Sequence, residues 1–370
     1  MVDIKEITKN ALANKGSFER IKRVMRRAER GNKIVLGYLG GSITQGSLST
    51  TPETCYAYLV YQWWSERFPL AEFEYVNAGI GGTTSQFGVA RVDNDLLSYH
   101  PDFVIVEFSV NDDNTELFEE TYEGLVRKIY KHESEIGILI VNNVNYVNGI
   151  NAQEIHNRVG KYYDLPCVSV KNSLYPFVEN GEIKRRAITP DDLHPNDVGH
   201  KIISEIIIDV LEKIYHDIDV TQIDIPIPKA FTRNEYEASI RYQNDNYNPV
   251  LNGFEIDYAK QENIRDLFKK GWSGSKIGDN ISFYIEGTGI AIQYRKTINK
   301  PTPIAQVTID DDGNEMILDG NFSETWGDCL YIDTVRVHGK NKKHKVKIEI
   351  IENNKDDKSS FYLVCVIGSY

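Results

Sequence analysis

Four short stretches hold the residue types that acyl-transfer chemistry requires. "GGSIT" places Ser42 at the end of an apolar run, and "NAGIGGTTS" carries Gly81 and Gly82. "SVNDD" carries Asn111, and "TPDDLHPN" carries Asp191, Asp192 and His194. A serine hydroxyl is a weak nucleophile at neutral pH and needs a base. A histidine can be that base when a carboxylate fixes its tautomer. The intermediate also needs donors for its oxyanion, which an asparagine amide or a backbone N–H can supply. Glycines let the backbone approach a ligand where a side chain would obstruct it.

The elements that must position these residues follow from the hydrophobic pattern. Residues 3–30 read as helical, ending at Gly31. Apolar, β-branched runs follow at 34–39, 73–77, 103–108, 137–141 and 167–170. Between and after them lie helical patterns near 54–68, 84–99, 117–133, 152–163 and 197–216. Near-continuous apolar strands alternating with helices predict a parallel sheet covered on both faces. Ligands of such sheets bind beyond the C-terminal strand ends; the first three stretches follow strands, and the fourth precedes the closing helix. After about residue 220 the pattern changes. "TQIDIPIPKAF" reads as an extended connector, and short β-like runs from "ISFYIEG" to "SFYLVCVIG" continue to the end. They predict an antiparallel sandwich of jelly-roll type. The expected domains are 1–222 and 223–370.

Together and in this order, the four stretches resemble the sequence blocks of the SGNH (GDSL-type) hydrolase superfamily, across residues 33–216. The resemblance implies a three-layer α/β/α fold and ester hydrolysis through an acyl-serine. It implies Ser42 as nucleophile, His194 as base and Asp191 as the orienting acid. It assigns the oxyanion to the N–H groups of Ser42 and Gly82 and the amide of Asn111, with no metal and no cofactor. Two positions depart from the family pattern. Gly41 stands where an aspartate is usual, and Ser109 where a glycine is usual; both bear on the oxyanion geometry. Asp197 and His200 repeat the Asp-x-x-His spacing, but inside the first turns of the closing helix, for which Asn196 is a plausible N-cap. Asp192 is a neighbouring carboxylate, while the spacing favours Asp191. Asp112 and Asp113 read as polar loop residues.

Composition bounds the partners. The chain has 370 residues, a net charge of -12 and no long basic block, which argues against nucleic acid. The most basic run, "HGKNKKHKVK" at 338–347, reads as a solvated hairpin. "DDDG" at 310–313 reads as a hairpin turn rather than a calcium loop. No run approaches the roughly 20 apolar residues of a membrane helix, and the first residues do not read as a secretory signal. The expectation is a cytoplasmic protein with no membrane partner. Four dispersed cysteines read as reduced thiols.

The substrate expectation rests on resemblance. An SGNH domain followed by a β-sandwich is similar to carbohydrate esterases carrying a carbohydrate-binding-like module. That implies an O-acetyl esterase acting on plant polysaccharide-derived oligosaccharides, mannan or glucomannan ahead of xylan. Trp326 and Trp272 sit among turn residues and are expected to touch the sugar, Trp326 foremost; Trp63 and Trp64 are expected to pack. The alternatives are a hydrolase of non-carbohydrate esters or thioesters, and a carbohydrate-binding protein without activity. Nothing in the pattern sets an oligomeric state.

Overall fold

Strands β1 (Leu12–Asn14), β2 (Lys33–Gly40), β3 (Glu72–Gly79), β4 (Phe103–Glu107), β5 (Gly137–Asn142) and β6 (Cys167–Ser169) build one six-stranded sheet. Its order is β1-β6-β5-β4-β2-β3. The computed structural model describes residues 2–133, 135–219, 227–310, 313 and 315–370. It divides into two units, Met1–Asn234 and Glu235–Tyr370. The boundary expected near residue 222 lies outside the described residues.

In the first unit, β2 to β6 run parallel, and β1 pairs antiparallel with β6 at one edge. Every residue of β4 and β5 is buried, as expected of strands with helices on both faces. The final helix, Asp197–His216, begins where the pattern placed it. Asn196 caps it by accepting the Gly199 N–H at 3.1 Å, which satisfies one of the N–H groups left open at a helix start. Its buried stripe includes Ile203, Ile207, Val210 and Leu211. No helix among the described residues is long and apolar enough to cross a membrane.

The N-terminal region differs from its reading as one helical run. Helices Ile4–Thr8 and Glu19–Glu29 flank β1. Gly16, at φ +52°, turns the chain, and Asn14 Nδ2 donates to the Leu165 carbonyl at 2.7 Å. A three-residue strand has too few positions to show a period, and its pairing partner is more than 150 residues away in sequence.

The second unit is a β-sandwich. One sheet contains Cys329–Arg336, Gly289–Lys296, Phe361–Ser369, Trp272–Gly274 and Glu255–Ile256, with Ile240–Tyr242 paired to Phe361–Ser369. The other contains Glu315–Asp319, Ile304–Ile309, Lys342–Glu352, Asn280–Gly287 and Val250–Asn252. All strand pairs within these sheets are antiparallel. The strand Ile304–Ile309 alternates: Ala305, Val307 and Ile309 face the core while Gln306 and Thr308 do not. A one-residue slip would invert that set.

The stretch 338–347 is not a hairpin. Cys329–Arg336 and Lys342–Glu352 belong to different sheets, so the segment between them crosses from one to the other, and His344 is fully buried. Residues 311, 312 and 314 of the expected turn at 310–313 and its exit lie outside the described residues; the flanking strands pair from Thr308 to Glu315.

All four cysteines are buried, Cys55 and Cys167 in the first unit and Cys329 and Cys365 in the second. Burial pushes the Cys167 thiol up to about 12 and that of Cys329 up to about 11, and raises Cys365 as well.

Candidate active site

The chain runs from β2 outward to β3, then returns across β2 to β4. That reversal is a switch point, where an open α/β sheet leaves a crevice. Ser42 stands there as the first residue of a short helix, Ser42–Gln45, with Gly41 as its N-cap. Its N–H belongs to the first turn, which has no intrahelical acceptor.

Glycines make this corner possible. A Cβ on Gly40 would lie 2.3 Å from Thr44 Oγ1 and 2.5 Å from the Glu107 carbonyl oxygen. A Cβ on Gly41 would lie 2.3 Å from Asn111 Oδ1. The position where the family usually has aspartate is therefore filled by the Asn111 amide. Asn111 follows β4, its N–H bound to the Phe108 carbonyl at 3.0 Å, and its Oδ1 is buried without a hydrogen-bond partner. Oδ1 can only accept, so the atom of this amide that can serve an oxyanion is the Nδ2 donor. Gly81 donates its N–H to Gln45 Oε1 at 2.6 Å. Gly82, at φ +69°, keeps its N–H without a protein partner among the described residues.

His194 closes the arrangement. Its Nε2 lies 2.8 Å from Ser42 Oγ and its Nδ1 2.6 Å from Asp191 Oδ2. Asp191 Oδ1 accepts the N–H groups of His194 at 2.7 Å and Leu193 at 3.1 Å. Burial pushes the Asp191 carboxyl up, but these hydrogen bonds outweigh it and hold the group below the ordinary carboxylate value. An ionised Asp191 fixes the proton on Nδ1, leaving Nε2 as the acceptor facing Ser42.

The rival residues have other partners. His200 Nδ1 accepts the Tyr56 N–H, and its Nε2 faces the Ser47 carbonyl, both at 3.3 Å. Burial holds this imidazole down at about 4, so it is neutral. Asp197 accepts from Thr50 and Thr54 and so ties down the loop beyond the Ser42 helix. Asp192 turns away from His194 toward Arg185 and Arg186. Asp112 lies in the polar loop after β4, as expected, and is buried there. It accepts the Ser85 N–H at 2.8 Å and pairs with His156 Nε2 at 3.0 Å, joining the Asn111 loop to the helix after Gly82. Asp113 is exposed.

A buried polar group behind Ser42 escaped the sequence reading. Glu107, the last residue of β4, is fully buried. Its carboxyl lies 3.3 Å from Ser109 Oγ and 3.4 Å from Thr44 Oγ1, and Thr44 Oγ1 lies 2.8 Å from the Tyr56 hydroxyl. Burial pushes Glu107 up to about 7, against the opposing effect of its hydrogen bonds. Ser109 is the serine that departs from the family pattern, and its hydroxyl also reaches the Asn143 carbonyl at 3.0 Å. That departure was the available signal.

The second unit separates the two candidate sugar-contacting tryptophans. Trp326 is 63% exposed and sets its ring edge-on to Phe322 at 5.0 Å. Trp272 is fully buried, its ring 5.2 Å from Phe283, and it corrects the expectation of a sugar contact. Its flanking glycines do not mark a loop. A Cβ on Gly271 would meet the Leu363 carbonyl at 2.3 Å, and one on Gly274 the Phe254 ring at 2.7 Å. Burying an indole removes about 150–250 Å² from water, a gain of about 4–6 kcal/mol at about 25 cal/mol/Å². The indole N–H has no partner, at a cost of about 1–3 kcal/mol, so packing prevails. Trp64 is fully buried, and Trp63 is half-buried with its N–H on Glu212 at 2.8 Å.

Comparison with known proteins agrees with this geometry. Residues 38–202 match the GDSL-like Lipase/Acylhydrolase family. The chain is similar to a two-domain esterase (CEX) active on acetylated mannans, with 52% identity over 98% of both chains and a TM-score of 0.96. For the crystal structure of CEX with mannopentaose the identity is again 52%, over 98% of this chain and 97% of that one, with a TM-score of 0.94. A shorter similarity reaches thioesterase 1/protease 1/lysophospholipase L1 of Escherichia coli strain K12. It is 25% identical over 174 residues, 45% of this chain and 78% of that protein. With the serine corner, the four sequence blocks and a relative matched over 98% of its length, the chain belongs to the GDSL-like, or SGNH, hydrolase family.

Proposed function

We propose that this protein is a serine carbohydrate esterase that removes O-acetyl groups from mannan-type oligosaccharides. The observation that carries the substrate is the 52% identity, over 98% of both chains, to an esterase active on acetylated mannans. The chemistry follows from the site. His194 Nε2 takes the proton of Ser42 as Oγ attacks the acetyl carbonyl carbon. The oxyanion develops against the N–H groups of Ser42 and Gly82 and the Asn111 amide. His194 then gives its proton to the departing sugar oxygen, leaving acetyl-Ser42. Water, deprotonated by the same imidazole, releases acetate and restores the serine.

The test is acetate release from acetylated mannan, xylan and pectin oligosaccharides, with products mapped by NMR. Mannan-derived substrates are expected to turn over fastest. Ser42→Ala is expected to lower kcat by about 10⁴-fold or more; acetate release that survives this change removes the mechanism. The acyl-chain profile separates the thioesterase-like alternative, since a steep preference for long chains excludes an acetyl-sized pocket. Trp326 is proposed as a sugar contact on the strength of its exposure. Trp326→Ala should then raise KM for the oligosaccharide and leave p-nitrophenyl acetate unaffected; an unchanged KM removes that role.

A further inference from the structure

Asp192 has a left-handed backbone, at φ +77°, between Asp191 and Leu193. L-residues other than glycine adopt this conformation at a cost, aspartate and asparagine less than most. The reversal at this residue is what lets the N–H groups of Leu193 and His194 fold back onto Asp191 Oδ1.

Three contacts hold it. Arg185 Nε forms an ion pair with Asp192 Oδ1 at 2.7 Å, without hydrogen-bond alignment. The Arg186 guanidinium lies 2.8 Å from Oδ1 and donates to Oδ2 at 3.0 Å. Its Nη1 also donates to the Pro190 carbonyl at 2.7 Å, so one guanidinium brackets Asp191 from residues 190 and 192. On the backbone side, the Tyr146 N–H donates to the Asp192 carbonyl at 2.9 Å.

We propose that Asp192 is a positioning residue whose ion pairs with Arg185 and Arg186 hold the loop in the left-handed turn that aims Asp191 at His194. The proposal rests on the serine-hydrolase reading of Ser42, His194 and Asp191. Both arginines are partly exposed, their side chains 39% and 56% accessible, and exposed ion pairs add little to global stability. A displaced catalytic group, in contrast, costs rate steeply. Removing the arginines should therefore slow the reaction while leaving the fold intact.

The experiment is a rescue. Arg185→Ala/Arg186→Ala is expected to lower kcat on p-nitrophenyl acetate by about tenfold or more, with KM and melting temperature nearly unchanged. Adding Asp192→Gly, which accepts positive φ without strain, is expected to bring kcat back to within about threefold of the parent. If the double variant does not fold, Arg186→Ala alone should show a smaller loss that Asp192→Gly likewise reverses. A double variant with parental kcat, a change confined to KM, or a loss that Asp192→Gly leaves in place overturns the proposal. Activity surviving Ser42→Ala removes the underlying reading and this proposal with it. An inactive Ser42→Ala beside fully active arginine variants removes this proposal alone.

Discussion

Replacing Glu107 by glutamine should change how the stability of the first unit depends on pH. The carboxyl is fully buried at the end of β4, with only hydroxyl and amide groups to bind it among the causes of its shift. Burial raises it from the ordinary 4.5 to about 7. The folded state therefore binds this proton more tightly than the unfolded chain does. Its stabilising effect is fully present below about pH 4.5 and disappears as pH rises through about 7. At about 1.4 kcal/mol per pH unit, the wild type should lose about 3 kcal/mol across that window through this group alone. Glutamine cannot ionise and should lose none of it. Urea denaturation at a series of pH values, for wild type and Glu107→Gln, measures the difference; the transition of the first unit is assigned by the accompanying loss of esterase activity. Other titrating groups cancel in the comparison. The variant should gain about 3 kcal/mol relative to wild type between pH 4.5 and pH 7, and stay level above that. A difference that stays constant across the range would refute the argument that this carboxyl is taken up uncharged.

Asn111→Ala should lower kcat about 10²- to 10³-fold with little change in KM, as expected for an oxyanion donor; an equal rise in KM would point to substrate binding instead. Gly41→Ala puts a methyl where the Asn111 amide stands, so its kcat should fall in the same direction. The double variant should then be no slower than Asn111→Ala, and additive losses would separate the two effects. Asp191 is held below the ordinary carboxylate value, so its carboxyl should stay ionised in mildly acidic buffer and contribute no proton of its own to any fall in kcat/KM there. A carboxyl resonance of Asp191 that titrates in mildly acidic buffer, followed by NMR, would refute this.

Much of this architecture was legible in the sequence, and the exceptions share a cause. Parallel strands covered on both faces leave continuous apolar runs, so β2 to β6 could be read to within a few residues. The helix Asp197–His216 could be read from its period and its Asn196 cap. β1 could not, because three residues carry no period and their partner is remote. Trp272 departs from its turn-like neighbours because glycine serves two physical ends: turning the chain, and letting another backbone or ring pack close. At Gly271 and Gly274 it does the second. At the site, Asp191 was separable from Asp192 by spacing, but not the reason Asp192 is present, since that depends on arginines placed by a different short helix. Gly41 and Ser109 looked like losses from a motif. In three dimensions Gly41 makes room for Asn111, and Ser109 binds Glu107.

The buried thiols give each unit its own clock. A thiol buried inside the fold is out of reach of alkylating reagents until the surrounding structure opens. Cys55 and Cys167 report on the first unit, and Cys329 and Cys365 on the second. Labelling rates followed by peptide mass spectrometry, with opening in rapid equilibrium, give an opening free energy for each unit separately and in the intact chain. Single cysteines introduced on the surface, at Val147 for example, would take up label first, because the native fold protects the other four.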